Sequence, residues 1–253
     1  MTHSTNSRVL VVDVETAPNL AWVWQLFDAN VSLNQLVQSG GILSWSAKWH
    51  EEPYTYFDSV WTNDAEGMMS NLWVLMDDAD AVVGWNSNRF DIRHINAEFA
   101  KQGWGPPSPY KKIDLMQTVR RHMKFPSNKL DYVSQALGVG RKLETGGFEL
   151  WTDVMSGNKK AQRLMQDYNV QDVELTEMVY DKLRAWIAPA VNKSIEQGHV
   201  CPECGSRHLQ SRGYRYNVSA KYKRWHCQSC GSWSQSVTGE KLDRTQMLKK
   251  ETI

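Results

Sequence analysis

The chain is 253 residues long, 41% hydrophobic, and carries a net charge of +1. That length suits one large domain plus a small one, with enough apolar residues for a buried core. No apolar run reaches the ~18 to 20 residues of a membrane span, and the polar Met1–Arg8 start has no signal-peptide pattern, so a soluble cytoplasmic protein is the expectation.

In chain order, Arg8–Val14 is a β-branched run bounded by polar residues and predicts a buried strand. Ile42–Trp49 and Tyr54–Val60 predict two more strands, joined by a turn at Glu51, Glu52 and Pro53. Ala65–Met76 has helical spacing through Met68, Leu72, Leu75 and Met76. Ala81–Trp85 predicts a fourth strand, and Phe90–Lys101 a helix stopped by Gly103. The proline-rich 104–109 segment reads as a loop, Ile113–Val119 as a short fifth strand, and Leu130–Leu137 as a helix ended by Gly138. The glycine-rich, polar 140–158 stretch reads as a mobile loop. Lys159–Trp186 is the longest helical pattern and stops near Pro189. The pattern predicts an α/β domain over 1–190, with a mixed five-stranded sheet flanked by helices. A second unit is expected over 199–253. Most of the 12 tryptophans read as core, with Trp22, Trp24 and Trp151 as candidates to line a groove.

Four acids stand out by their settings. Asp13 and Glu15 end the first strand, where residues i and i+2 project from one face. Two carboxylates there are costly unless neutralised, and hard oxygen ligands suit Mg²⁺ or Mn²⁺. Asp91 falls at a helix start, a place where acids also occur simply as caps. Tyr168 and Asp172 are four apart on the long helix and share a face. Asp167, Glu174 and Glu177 are assigned to solvent.

Together, Val12-Asp-Val-Glu-Thr16, Asn86-Ser-Asn-Arg-Phe-Asp91 and Tyr168-Asn-Val-Gln-Asp172 form an ordered pattern. It resembles the DEDD 3′→5′ exonucleases of the ribonuclease-H-like (DnaQ-like) superfamily, over roughly residues 8–186. The tyrosine resembles the DEDDy branch. The histidine branch carries His five residues before the last acid, where this chain has Asp167, and His94 and His122 lie elsewhere. The Asn-x₃-Phe-Asp form is similar to the proofreading domain of family B DNA polymerases and to stand-alone phage and bacterial relatives.

The resemblance implies a two-metal 3′→5′ exonuclease that releases nucleoside 5′-monophosphates from single-stranded DNA. Asp13, Glu15, Asp91 and Asp172 would hold two Mg²⁺ or Mn²⁺ ions, and Tyr168 would orient the attacking water. Thr16, Asn86 and Phe90 would contact substrate, although plain core packing is the alternative for Phe90. Lys48, Lys111 and Lys112 are candidates for phosphate contact. There is no room for a polymerase palm, so proofreading would need a separate polymerase, or a recombination or repair protein as partner. An exoribonuclease, an endonuclease on this fold and a non-catalytic nucleic-acid-binding module remain as alternatives.

All four cysteines lie in two CxxC knuckles, Cys201/Cys204 and Cys227/Cys230, each followed by glycine. The spacing predicts a structural Cys₄ zinc ribbon. A disulfide pair, or a ligand from His199, His208 or His226, is the alternative. Residues 199–253 hold ten Lys/Arg and four Asp/Glu, leaving 19 bases and 24 acids in the other 198 residues. A basic tail on an acidic body suggests a polyanion partner. Arg212, Arg215, Lys223 and Arg224 are interleaved with Tyr214, Tyr216, Tyr222 and Trp225, which suits phosphate contact with base stacking. The alternative is that these aromatics cover a small ribbon core or meet a protein.

Overall fold

The computed structural model describes residues 8–189, 192–217 and 219–242. It divides at Leu183/Arg184 into two compact units. In the first, β1 (Val9–Thr16) is followed by the short pair β2 (Leu20–Ala21) and β3 (Leu36–Gln38), then β4 (Ile42–Trp49) and β5 (Thr55–Ser59). Next come α1 (Ala65–Asp77), β6 (Ala81–Gly84), α2 (Asp91–Lys101), β7 (Lys111–Asp114) and the helices α3 (Leu115–His122), α4 (Leu130–Ala136), α5 (Phe148–Met155) and α6 (Lys159–Leu183). The sheet order is β5-β4-β1-β6-β7. β1 pairs antiparallel with β4 and parallel with β6, so the sheet is mixed as expected.

Strand alternation sorts β1 onto two layers. Leu10, Val12 and Val14 join Trp45, Met68, Leu72, Ile95 and Phe99 in a core beneath α1 and α2. The other face of β1 and β4 packs on α6. There Ser46 and Ser44 stand opposite Asp13 and Glu15 and are fully buried. Small side chains at those two places make room beside the carboxylates. Gly84 ends β6 because a Cβ there would lie 2.6 Å from Ser87 Cβ and 3.1 Å from the Val12 carbonyl oxygen.

Three expectations are corrected. The fifth strand is Lys111–Asp114, and Leu115–His122 is helical. Asp114 caps that helix by accepting from the Gln117 N–H at 3.2 Å, and Leu115, Met116 and Val119 are spaced for one helical face. The 140–158 segment contains α5, which buries Leu150 and Val154 against Met165 of α6. Trp22 and Trp24, the groove candidates, are exposed at 76% and 99%. Glu177 is buried, not solvated: it pairs with Lys48 and accepts the Glu51 N–H at 3.0 Å. That pair removes Lys48 from the phosphate-contact candidates.

Removing one partner of a buried pair strands the other charge. Glu177→Ala should therefore cost about 3 kcal/mol of stability, read from urea unfolding. A loss below about 1 kcal/mol, the range of an exposed pair, would contradict this reading.

Candidate active site

Three elements, β1, α2 and α6, converge on one cluster. Carboxylate oxygens of Asp13, Glu15 and Asp172 lie within 4.8 Å of one another. Asp91 joins them from the first turn of α2. Its Oδ1 accepts the Val14 N–H at 3.1 Å, so the side chain reaches across to β1. Asp172 and Asp91 are buried, Asp13 and Glu15 half-buried.

Two residues not singled out in the sequence organise this group. Lys142 Nζ contacts Asp172 Oδ2 at 2.6 Å and donates to Tyr168 Oη at 2.8 Å. Asn169 is fully buried; its Nδ2 donates to Asp13 Oδ2 at 2.8 Å and its Oδ1 accepts from Ser44 Oγ at 3.3 Å. Lys142 stands in coil, where no periodicity marks it. Asn169 carried a signal: it lies on the inward stripe of α6 with Met165, Asp172 and Thr176.

The electrostatics are unfavourable without a cation. Burial, then the neighbouring Asp91, Glu15 and Asp172, hold Asp13 well above the usual carboxylate range. Burial and the Asp172 charge push Glu15 up to about 8. Burial lifts Asp91 to about 7 against the opposing Val14 N–H. Burial also raises Asp172, against the opposing Lys142. Burial disfavours the Lys142 ammonium, but Asp172 and Tyr168 outweigh it and keep the group charged. Burial and Asp172 raise Tyr168, so its phenol stays protonated. Asp172 Oδ1 is buried with no hydrogen-bond partner among the described residues. Close oxygens, an unpartnered buried oxygen and crowded carboxylates fit a hard divalent cation.

The weaker candidates scatter around this core. Thr16 lines an open cleft of about 460 Å³ with Pro18, Thr145, Gly147, Phe148 and Trp151. The Trp151 ring meets Tyr168 edge-on at 6.3 Å. Asn86 is left-handed, with φ 60°, and its N–H donates to Asp114 Oδ1 at 3.1 Å. Asp114 thus pins the turn that precedes Asp91. Phe90 is 40% exposed against the His94 ring, so it is not plain core. Lys111 and Lys112 sit on β7.

A family model described as RNase_H superfamily matches residues 41–184, more than half of the chain. The chain belongs to the RNase_H superfamily. The matched span includes Asp91, Tyr168 and Asp172 and begins after β1. No curated protein matches the sequence. Among solved structures, the chain is similar to the family B DNA polymerase from the hyperthermophilic archaeon Pyrobaculum calidifontis, at 16% identity and a TM-score of 0.53. The alignment covers 85% of this chain and 31% of the polymerase. That likeness shows the fold, in agreement with the RNase_H superfamily and its helix-flanked mixed sheet. No helix among the described residues is long and apolar enough to cross a membrane.

Beyond the RNase_H unit, α7 (Ser194–Gln197) precedes a small sheet of β8 (Leu209–Tyr216), β9 (Ala220–Cys227), β10 (Trp233–Gln235) and β11 (Glu240–Lys241). The Cys201–Cys230 and Cys204–Cys227 sulfur pairs are each 3.7 Å apart. A disulfide would need about 2 Å. Four sulfurs at metal bonds of about 2.3 Å, placed tetrahedrally, lie about 3.8 Å apart, so the cluster fits a zinc ribbon. Each knuckle is closed by a glycine N–H, Gly205 to the Cys201 carbonyl at 2.9 Å and Gly231 to Cys227 at 3.1 Å. Burial raises the Cys227 thiol, but the Cys230 and Ser229 N–H groups prevail and bring it down to about 7. His199 meets Trp225 edge-on, His226 lies tilted against Trp233, and both stand outside the sulfur cluster.

Two outcomes follow. Glu15 and Asp91 are raised, so the folded metal-free protein binds more protons than the unfolded chain from about pH 4 to about 8. Their cost is absent below the unfolded carboxylate pKa, grows through that window and is constant above it. Metal-free protein should thus lose thermal stability between pH 5 and 8. Mg²⁺ or Mn²⁺ should restore most stability at the high end, and Glu15→Gln should flatten the slope. A melting temperature equal at both pH values in metal-free wild type and Glu15→Gln would contradict it. Separately, a strong zinc chelator should abolish the near-ultraviolet signal of Trp225 and Trp233, because a unit this small depends on its metal for folding; an unchanged signal after full zinc loss would refute that dependence.

Proposed function

We propose that the chain is a DEDDy-type 3′→5′ exonuclease that removes nucleoside 5′-monophosphates from single-stranded DNA ends. One observation carries the reading. Tyr168, held by Lys142, stands one helical turn from Asp172, whose carboxylate clusters with those of Asp13 and Glu15. Asp13, Glu15, Asp91 and Asp172 would hold two Mg²⁺ or Mn²⁺ ions, which when bound supply an acidified water and neutralise charge on the scissile phosphate. The Cys₄ cluster would hold one Zn²⁺ with a structural role.

The chain's own residues account for the positioning. Tyr168 accepts from Lys142, which leaves its O–H available to donate to the attacking water. Its raised pKa makes it an orienting donor rather than a base. Asn169 holds the Asp13 carboxylate in one rotamer. The exposed Phe148 and half-buried Trp151 offer an apolar wall beside Thr16 for the terminal base. The water oxygen bonds to phosphorus as the bond to the preceding 3′-oxygen breaks. That oxygen takes a proton, and the terminal nucleotide departs as a 5′-monophosphate. The fold likeness to a family B DNA polymerase supports this substrate class. A separate polymerase or repair protein in the cytoplasm of a bacterium or phage host would be its setting.

Matched 5′-labelled DNA and RNA strands should separate the outcomes. DNA should give a ladder shortened from the 3′ end, absent with chelator. Asp13→Ala should lower the rate about a thousandfold, and Lys142→Ala or Asn169→Ala about 10- to 100-fold, as for residues that orient metal ligands. Internal cuts, faster RNA loss, or no cleavage with either metal would each overturn this assignment.

A further inference from the structure

The ribbon sheet has two chemically different faces. Pairing register assigns them: Tyr222, Arg224 and His226 of β9 share a face with Arg215 of β8 and with Trp233 and Gln235 of β10. Contacts agree with the register. The Arg224 guanidinium lies 4.5 Å from the Trp233 ring centroid, the His226 ring lies 4.8 Å from it, and Arg215 donates to Gln235 at 3.3 Å. No acid occurs on this face among the described residues. The opposite face carries Tyr214, Lys221, Lys223, Trp225 and Cys227. There Lys221 is paired with Glu240 at 2.8 Å, and Trp225 packs on His199 beside the knuckle. That face also carries Tyr216, 64% exposed, and the exposed Lys223. On the first face Trp233 is 52% exposed and Arg215 is exposed.

We propose that the Arg215–Arg224–Trp233 face is a binding site for single-stranded nucleic acid. Arg224 and His226 support the indole from the sheet, which leaves its open surface for a stacked base. An exposed indole is a sequence-tolerant stacking platform. Arg215 and Arg224 supply positive charge for the phosphates on either side of that base, with no carboxylate to compete. Gln235 holds the Arg215 fork in place. Of the four basic candidates read from the sequence, the sheet thus selects Arg215 and Arg224. It sets Lys223 on the other face, over Trp225 at 4.5 Å. Arg212 sits where the β8 register shifts, its Nε donating to Gln210 at 3.1 Å. The site belongs to the second unit and does not depend on the exonuclease reading.

The test is fluorescence anisotropy of labelled single-stranded DNA and RNA on zinc-loaded full-length protein, with Asp13→Ala as background so that no strand is cut. Trp233→Ala should weaken binding about 5- to 100-fold, and Trp233→Phe should recover most of it. Arg215→Ala and Arg224→Ala should each lower the log–log salt slope by about 0.7. Lys221→Ala, which removes the same charge from the opposite face, should change the slope by less than half as much. Unchanged zinc content in every variant excludes loss of fold. Equal effects of Lys221→Ala and Arg224→Ala would reduce the face to bulk charge and overturn the proposal. So would full affinity in Trp233→Ala, the result expected if this face meets a protein. A nuclease that cuts normally yet binds independently of Trp233 would sink this site alone, and a binding chain that never cuts would sink only the exonuclease assignment.

Discussion

Carboxylates repel one another most where water is scarce, and this chain gathers four of them at the edge of a buried strand. Asp13, Glu15, Asp91 and Asp172 are opposed by the nearby Lys142 ammonium. Much of the surrounding architecture answers to that constraint. Serines stand opposite Asp13 and Glu15 in β4, where larger apolar residues would seal the pocket. A backbone N–H from β1 is diverted to Asp91, and Asp114 pins the left-handed turn before it. Such strain is stable when a cation shares the site, so affinity for metal and the cost of the empty arrangement have one origin.

The parts of this design that were legible in the sequence are those with a period. Alternation places Asp13 beside Glu15, and the four-residue step places Tyr168 over Asp172. The same periods exposed the mixed sheet of the RNase_H fold. Errors arose where the period was misread or absent. Leu115, Met116 and Val119 have helical spacing, yet a short apolar run there was read as strand. Two adjacent glycines hid the start of α5. Lys142 acts through a loop whose conformation no local pattern specifies. Glu177 is assigned to solvent because it lies off the Tyr168/Asp172 face, although Val173, Thr176 and Tyr180 put its neighbours on the buried side.

The second unit reaches stability by other means. Its strands alternate aromatic and basic residues on both faces, so neither face is an ordinary apolar layer. Four sulfurs at tetrahedral spacing stand in for the missing core. With a metal as anchor, side chains such as Arg215 and Trp233 would be released from packing and could be chosen for what they touch. That division of labour explains why an indole can remain half exposed on a sheet this small.

Asn169 fastens α6 to β1 through Asp13 and to β4 through Ser44, three residues before Asp172. The helix therefore works like the pawl of a ratchet. A slide of one residue would rotate Asn169 by about 100° off both partners and carry Asp172 away with it. Small displacements are resisted and the next acceptable seat is a full turn away. Drift in sequence elsewhere along α6 can then accumulate without detuning the carboxylates, as long as this one amide stays engaged.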